Sequence, residues 1–168
     1  GIADPQPVPD CPDVVFIGNK RSHGGRPVPE FLCAQDQLPF TLGIWGVNWK
    51  PINPHFVARY HPFDRLQDLY AAAKAVLIDH HDAMRDMGFM KHQVIDVLAA
   101  GGLPVVDHVG KAPLAFPTYR TPEEALDVLT KITAMPSQER DRVRKAAVDG
   151  TAMHSFVDQV GKMIEQVD

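Results

Sequence analysis

The sequence predicts an α/β domain in which five or six mostly parallel strands are covered by helices on both faces. Three observations support this. Short apolar, β-branched runs recur at 13–18 (DVVFIG), 39–46 (PFTLGIWG), 75–79 (AVLID) and 103–107 (LPVVD), the pattern of strands buried on both faces. Segments with apolar residues at helical spacing separate these runs, and strands alternating with helices imply parallel pairing. The stretch from Ala75 to His108 reads as one βαβ unit: a strand, a polar loop, a helix from about Gly88 to Ala100, a Gly-Gly stop and a second strand.

Taken in order, residues 1–12 place Pro at 5, 7, 9 and 12, which excludes helix and central strand, and so predict an extended linker before a domain spanning 13–168. A leading linker of this kind suggests a piece of a longer polypeptide. The first strand ends at Gly18, and a loop rich in cations and glycine leads to a helix over Pro27–Gln37 that Pro39 closes. The second strand ends at Gly46, a loop carries Trp49, and FVARY (56–60) is a third strand. Asp64 is placed to cap a helix with Leu66, Leu69, Tyr70 and Ala73 on one face. After the central unit comes a short strand near Pro117–Arg120, and Thr121-Pro122-Glu123-Glu124 is a helix start with Thr as N-cap and Pro at the first position. That helix runs to about Ala134; another follows from Ser137 to about Asp149 with Gly150 as its stop, and a last one covers His154–Val167.

Composition narrows the function classes. At 168 residues and 45% hydrophobic content the chain is one ordinary globular domain. A net charge of −4 gives no electrostatic support for nucleic-acid binding, and no apolar run reaches the length of a membrane span. With no signal-peptide pattern at Gly1–Asp10, the expected setting is cytoplasmic. Cys11 and Cys33 have no metal or CxxC spacing, and Cys33 lies in an apolar helical pattern as packing. His80, His81 and His92 complete no metal spacing, so no metal is expected.

The central unit has the shape of a phosphate site. In open α/β sheets ligands bind outside the carboxyl ends of the strands, where a helix N-terminus offers unpaired N–H groups to an anion. Gly88 and Phe89 supply amides with no side chain in the way at Gly88, and Lys20 and Arg21 follow the first strand toward the same cleft.

The order FIGN with Lys20 and Arg21, then LGIWG, LYAAAKAVLID, a loop to MGF, a helix carrying an acid, and AAGGLPVV resembles the carboxyl-terminal, donor-binding half of GT-B glycosyltransferases, nearest the group 1-like (CgeB-like) branch. The resemblance covers about Asp13 to the last helix. It implies a Rossmann-like domain that binds a nucleotide-diphosphate-sugar as substrate, with no further cofactor. It also implies a hexosyltransferase-type enzyme that is incomplete without an N-terminal acceptor domain of the same polypeptide. Gly88-Phe89 match the family's Gly-Phe, Gly101–Val106 its Gly-x-Pro-Val-Val turn with one residue extra, and Asp96 falls near its second acid; Met87 stands where the first acid is expected. The placement of the residues after their strands agrees with this: Lys20 and Arg21 are expected to stabilise the diphosphate. Asp96 is expected to accept from the ribose, Trp45, Arg59 and Tyr60 to wall the base, and His81 to face the sugar, with no catalytic residue otherwise assigned.

Plainer readings stand beside these. Gly88 is also read as a loop glycine, Lys20 and Arg21 as solvated charges, Asp96 as a surface acid paired with Lys91 or His92, and Trp45 and Tyr70 as core. A non-catalytic Rossmann-like interaction or regulatory domain is the alternative function. No GxGxxG follows the first strand, which argues against a dinucleotide dehydrogenase.

Overall fold

The computed structural model describes residues 7–21, 25–49, 57–59, 66–86, 88, 90–108 and 114–152, with 57–59 and 152 as backbone only. Six parallel strands form one sheet in the order β3-β2-β1-β4-β5-β6. They are β1 Val14–Ile17, β2 Leu42–Trp45, β3 Val57–Arg59, β4 Ala75–Ile78, β5 Pro104–Asp107 and β6 Thr118–Tyr119. This is the doubly wound Rossmann order. The chain winds outward from β1 to β3, then returns to lay β4 against the other side of β1, with Val14 opposite both Leu42 and Ala75.

The period of two along each strand divides the apolar residues between two cores. Val14, Phe16, Leu42, Ile44, Ala75, Leu77 and Val105 face α1 (Pro27–Cys33) and α5 (Pro122–Ala134). Val15, Trp45, Val76, Ile78 and Val106 face α2 (Leu66–Ala72) and α4 (His92–Ala99), joined by Ala147 of α6 (Ser137–Ala152). All four residues of β4 are fully buried, as a central strand covered on both sides requires. Cys33 is packed in the first core, where burial pushes its thiol up to about 11.

Local chemistry explains where two of the helices begin. Pro27 opens α1 at its first position, where its missing N–H costs nothing. Thr121 caps α5, its hydroxyl accepting from the Glu124 N–H at 3.2 Å, while the Glu124 carboxylate accepts from the Arg120 N–H at 2.7 Å.

Three boundaries differ from the expectation: α1 ends at Cys33, with Ala34 as its C-cap, short of the expected Gln37, and two others involve glycines. The loop after β4 contains a short helix, α3 (Asp82–Asp86), and α4 starts only at His92, with Lys91 as an extended N-cap. Gly88 therefore does not open α4. At φ +73° it sits just past α3, its N–H donating to Arg85 O at 3.1 Å, so the residue that looked like a helix start follows a helix end. At the other site, α6 continues through Gly150 to Ala152. A Cβ at 150 would lie 2.1 Å from the Ala115 Cβ, so this glycine permits close packing rather than ending the helix. Residues 7–12 hold no helix or strand, and Val8 and Cys11 pack against the second core. The expected cap at Asp64 and the helix over 154–167 lie outside the described residues.

Candidate functional site

The strand order places a topological switch point between β1 and β4, and the crevice beyond their carboxyl ends is where such sheets bind ligands. The loops that reach this crevice are held firmly. Gly18 N–H donates to Trp45 O (2.8 Å), Lys20 N–H to Val47 O (3.0 Å), Val47 N–H to Asn19 Oδ1 (2.9 Å) and Trp49 Nε1–H to Gly18 O (2.8 Å). Gly46 makes the approach possible: at φ +155°, a Cβ there would lie 2.3 Å from Gly18 O.

Past this platform, Asp79 leaves the end of β4 and gathers cations from three segments. Arg26, the N-cap residue of α1, donates from Nη1 to Asp79 Oδ1 and from Nε to Asn19 O at 3.0 Å. Lys91 Nζ lies 3.6 Å from Asp79 Oδ1, and Arg21 Nη2 lies 3.9 Å from Asp79 Oδ2. Among the described residues three cations stand within 4 Å of this one carboxylate, which leaves the group they form net positive. Burial lowers the pKa of both Arg26 and Lys91, with Asp79 opposing that shift. His81, exposed beside the cluster, is lowered by burial and then by Arg21, Arg26 and Lys91. Arg21 Nε, Arg21 Nη2 and Asp79 Oδ2 are buried and have no hydrogen-bond partner among the described residues.

His80 braces the cluster from behind. Its Nε2 accepts from the Lys91 N–H at 2.9 Å, which leaves its proton on Nδ1, facing Asp107 Oδ1 at 2.5 Å. Asp107 Oδ2 accepts from the His80 N–H (2.9 Å) and lies 3.4 Å from Arg85 Nη1. The fully buried imidazole thus ties the start of α4 to the ends of β4 and β5.

Between α2 and α4, reaching the last residue of β1, opens a cleft of about 610 Å³ lined by Ile17, Tyr70, Gln93, Asp96 and neighbouring residues of the two helices; the cluster residues do not line it, and Gln93, two residues after Lys91, is the nearest link along the chain. Gln93 Nε2 lies 3.3 Å from Ile17 O and 3.4 Å from the Tyr70 hydroxyl. The floor is apolar and the rim carries Asp96, which is exposed.

Of the residues picked from sequence, Arg21 and His81 are brought to the cluster and Asp96 to the cleft. Lys20 pairs with Glu30 at 3.2 Å and lies 5.9 Å from the Trp49 ring, so its charge is spent beside α1. Trp45 is 6% exposed and belongs to the second core. Arg59 ends β3 opposite Trp45; its side chain, with Tyr60, Met87 and Phe89, lies outside the described residues. Gly88 is an exposed turn residue. Sequence reading passed over Arg26, Asp79, Lys91 and Gln93 as ligands. The usable signal for Asp79 was an acid directly following four fully apolar strand residues, and for Arg26 a cation directly preceding a helix-opening proline. Among the described residues no three His, Cys, Asp or Glu side chains converge as metal ligands.

No protein-family model matches the chain, and no curated protein matches it by sequence. Solved structures do. The DNA-modifying enzyme beta-glucosyltransferase, determined with and without uridine diphosphoglucose, superposes with a TM-score of 0.61 at 16% identity over 86% of this chain and 47% of that one. What the two share is the fold. Phage T4 BGT in complex with its UDP-glucose substrate gives a TM-score of 0.60 at 16% identity, over 88% and 46% of the two chains. A UDP-forming alpha,alpha-trehalose-phosphate synthase from Burkholderia xenovorans gives 0.61 at 10% identity, over 93% and 44%. This chain therefore spans a little under half the length of these glycosyltransferases, and that span is a Rossmann-like α/β unit in each comparison.

Proposed function

We propose that this chain is the nucleotide-sugar-binding half of a glycosyltransferase, with the pyrophosphate of the donor seated on the cations at the switch point. The observation that carries the reading is the convergence of Arg21, Arg26 and Lys91 where β1 and β4 part, in a fold shared with enzymes solved with UDP-glucose. The leaving diphosphate gains negative charge as the sugar departs, and preorganised cations in a partly dry site stabilise that charge. Arg21 and Lys91 contact the phosphates, Arg26 holds Asp79 in place, and the apolar cleft takes the nucleoside with Asp96 accepting from the ribose. His81, uncharged at neutral pH, lies on the sugar side.

Residue for residue, the cations replace the helix-terminal amides that the sequence pointed to at Gly88. A second, acceptor-binding half completes the enzyme in this proposal, supported by the under-half coverage of the solved relatives. The group 1-like branch and a cytoplasmic setting belong to the same proposal; among the described residues no helix is long and apolar enough to cross a membrane.

The test is a thermal-shift and calorimetric screen against UDP, GDP, ADP, TDP and CDP, each beside its monophosphate and nucleoside. One diphosphate binding well above its nucleoside supports the donor site and names the base. No binding at millimolar ligand would leave the domain a non-catalytic scaffold.

A further inference from the structure

Asp79 is out of place in a site built only for phosphate. A carboxylate repels the anion that its neighbours attract, yet this one is held at the centre of the cluster with its side chain only 8% exposed. Its two oxygens are used differently. Oδ1 takes Arg26 Nη1 and lies 3.6 Å from Lys91 Nζ. Oδ2 is buried and has no hydrogen-bond partner among the described residues, and the same is true of the Arg21 Nε and Nη2 donors, the latter 3.9 Å away. An unsatisfied acceptor and unsatisfied donors therefore lie side by side at the end of β1 and β4. Buried polar atoms left without partners are destabilising, so the position calls for a group that serves both.

Chemistry restricts what that group is. A phosphate oxygen accepts from Arg21 but has no proton for Asp79 and adds charge repulsion against it. An ammonium donates to Asp79 but is repelled by Arg21, Arg26 and Lys91. A hydroxyl does both, its lone pair receiving the Arg21 N–H while its own hydrogen goes to the carboxylate; water does the same in the free protein, and a ligand hydroxyl takes its place.

We infer that Asp79 and Arg21 together hold a hydroxyl of the transferred sugar, which makes Asp79 a specificity-determining residue for the donor. This rests on the donor-site reading above and extends it: the substrate class is a nucleotide sugar whose sugar is uncharged and keeps one particular hydroxyl. Deleting that hydroxyl leaves Asp79 Oδ2 and Arg21 Nη2 unpaired, whereas a sugar altered elsewhere leaves them filled, and Arg21 Nε stays with the phosphate in either case.

The experiment crosses ligand with protein. UDP, UDP-glucose and the monodeoxy analogues of UDP-glucose are titrated calorimetrically into the wild-type chain and into Asp79→Asn; the ADP or GDP series replaces them if the nucleotide screen selects that base. Expected on the wild type is a loss of about tenfold or more in affinity for one deoxy analogue, the scale of a hydrogen bond to a charged group. On Asp79→Asn that same analogue and UDP-glucose bind alike, while UDP binds as well as or better than to the wild type because a negative charge has gone. The two changes are then non-additive, as contact requires. Equal binding of every deoxy analogue on the wild type, or the same loss on variant and wild type, overturns the assignment while UDP binding leaves the donor-site reading intact. Failure of the wild type to bind either UDP or UDP-glucose overturns both. If Asp79→Asn does not fold, Arg21→Lys, which keeps the charge but removes the guanidinium donors, serves in its place with the same expected loss of discrimination.

Discussion

Arg21 and His81 follow β1 and β4 and face one cluster, but their charges make different demands. Arg21 is a permanent cation whose unfilled Nε is left for a phosphate oxygen, so Arg21→Ala should lower affinity for a nucleoside diphosphate by about tenfold or more, the scale of one charge-assisted hydrogen bond, and leave the nucleoside nearly unaffected. Paired calorimetric titrations decide it, and equal loss for both ligands removes Arg21 from the phosphate. His81 behaves as a proton-linked group. Burial and the nearby cations hold its pKa below the ordinary 6.5, so it is neutral at pH 7. A bound pyrophosphate offsets those cations and raises the pKa, so the complex binds more protons than the free protein. By linkage, affinity should then rise as pH falls from neutrality through the region below 6.5, and level off once the free protein is also protonated. A nucleotide sugar is the right probe because its pyrophosphate has no proton titrating near neutrality. A profile equally steep in His81→Ala would assign the dependence to another group. At this scale the sequence was only partly legible. Arg21 and Asp96 stand out as charges in predicted loops and helix faces, whereas Arg26, Asp79 and Lys91 acquire meaning only when 53 residues of separation close into one ion pair, as between Arg26 and Asp79.

Elements were legible where one local rule acted alone. The β-branched runs became β1, β2, β4 and β5, and Thr121-Pro122 with Glu124 became the capped start of α5. They were misjudged where glycine carried two possible meanings. Gly88 was read as opening α4 because it precedes an apolar periodic segment, but the chain inserts α3 first and uses Gly88 behind it. Gly150 was read as a stop, yet it lies inside α6 against Ala115. These two effects make opposite predictions for Gly150→Ala. Helix propensity favours alanine by about 1 kcal/mol. The Cβ, however, would meet the Ala115 Cβ at 2.1 Å, a contact with no flexible end to move aside, and overpacking of this kind costs about 1–3 kcal/mol. The variant should therefore be less stable, with a lower Tm in thermal denaturation; a raised Tm would show that the loop carrying Ala115 yields freely.

Across the whole molecule the two edges of the sheet differ. At the amino edge Asp13 is fully engaged, taking Lys74 Nζ at 2.8 Å and the Thr41 N–H at 3.1 Å. At the carboxyl edge the cations outnumber the acid they surround, buried donors lack partners among the described residues, and a cleft of about 610 Å³ between α2 and α4 reaches the end of β1. The fold class was readable because it depends on patterning summed over many residues; the asymmetry was not, because it depends on how six strands are ordered. The central claim is that this carboxyl edge is the nucleotide site. It is tested most directly by mapping backbone amide shifts of the isotope-labelled protein as UDP, or the diphosphate that the screen selects, is titrated in. The account predicts saturable shifts concentrated at Gly18–Arg21, Asp79–His81 and Lys91–Asp96, with Asp13, Thr41 and Lys74 unmoved. Shifts that saturate at the amino edge while the Arg21, Asp79 and Lys91 amides stay in place would contradict it.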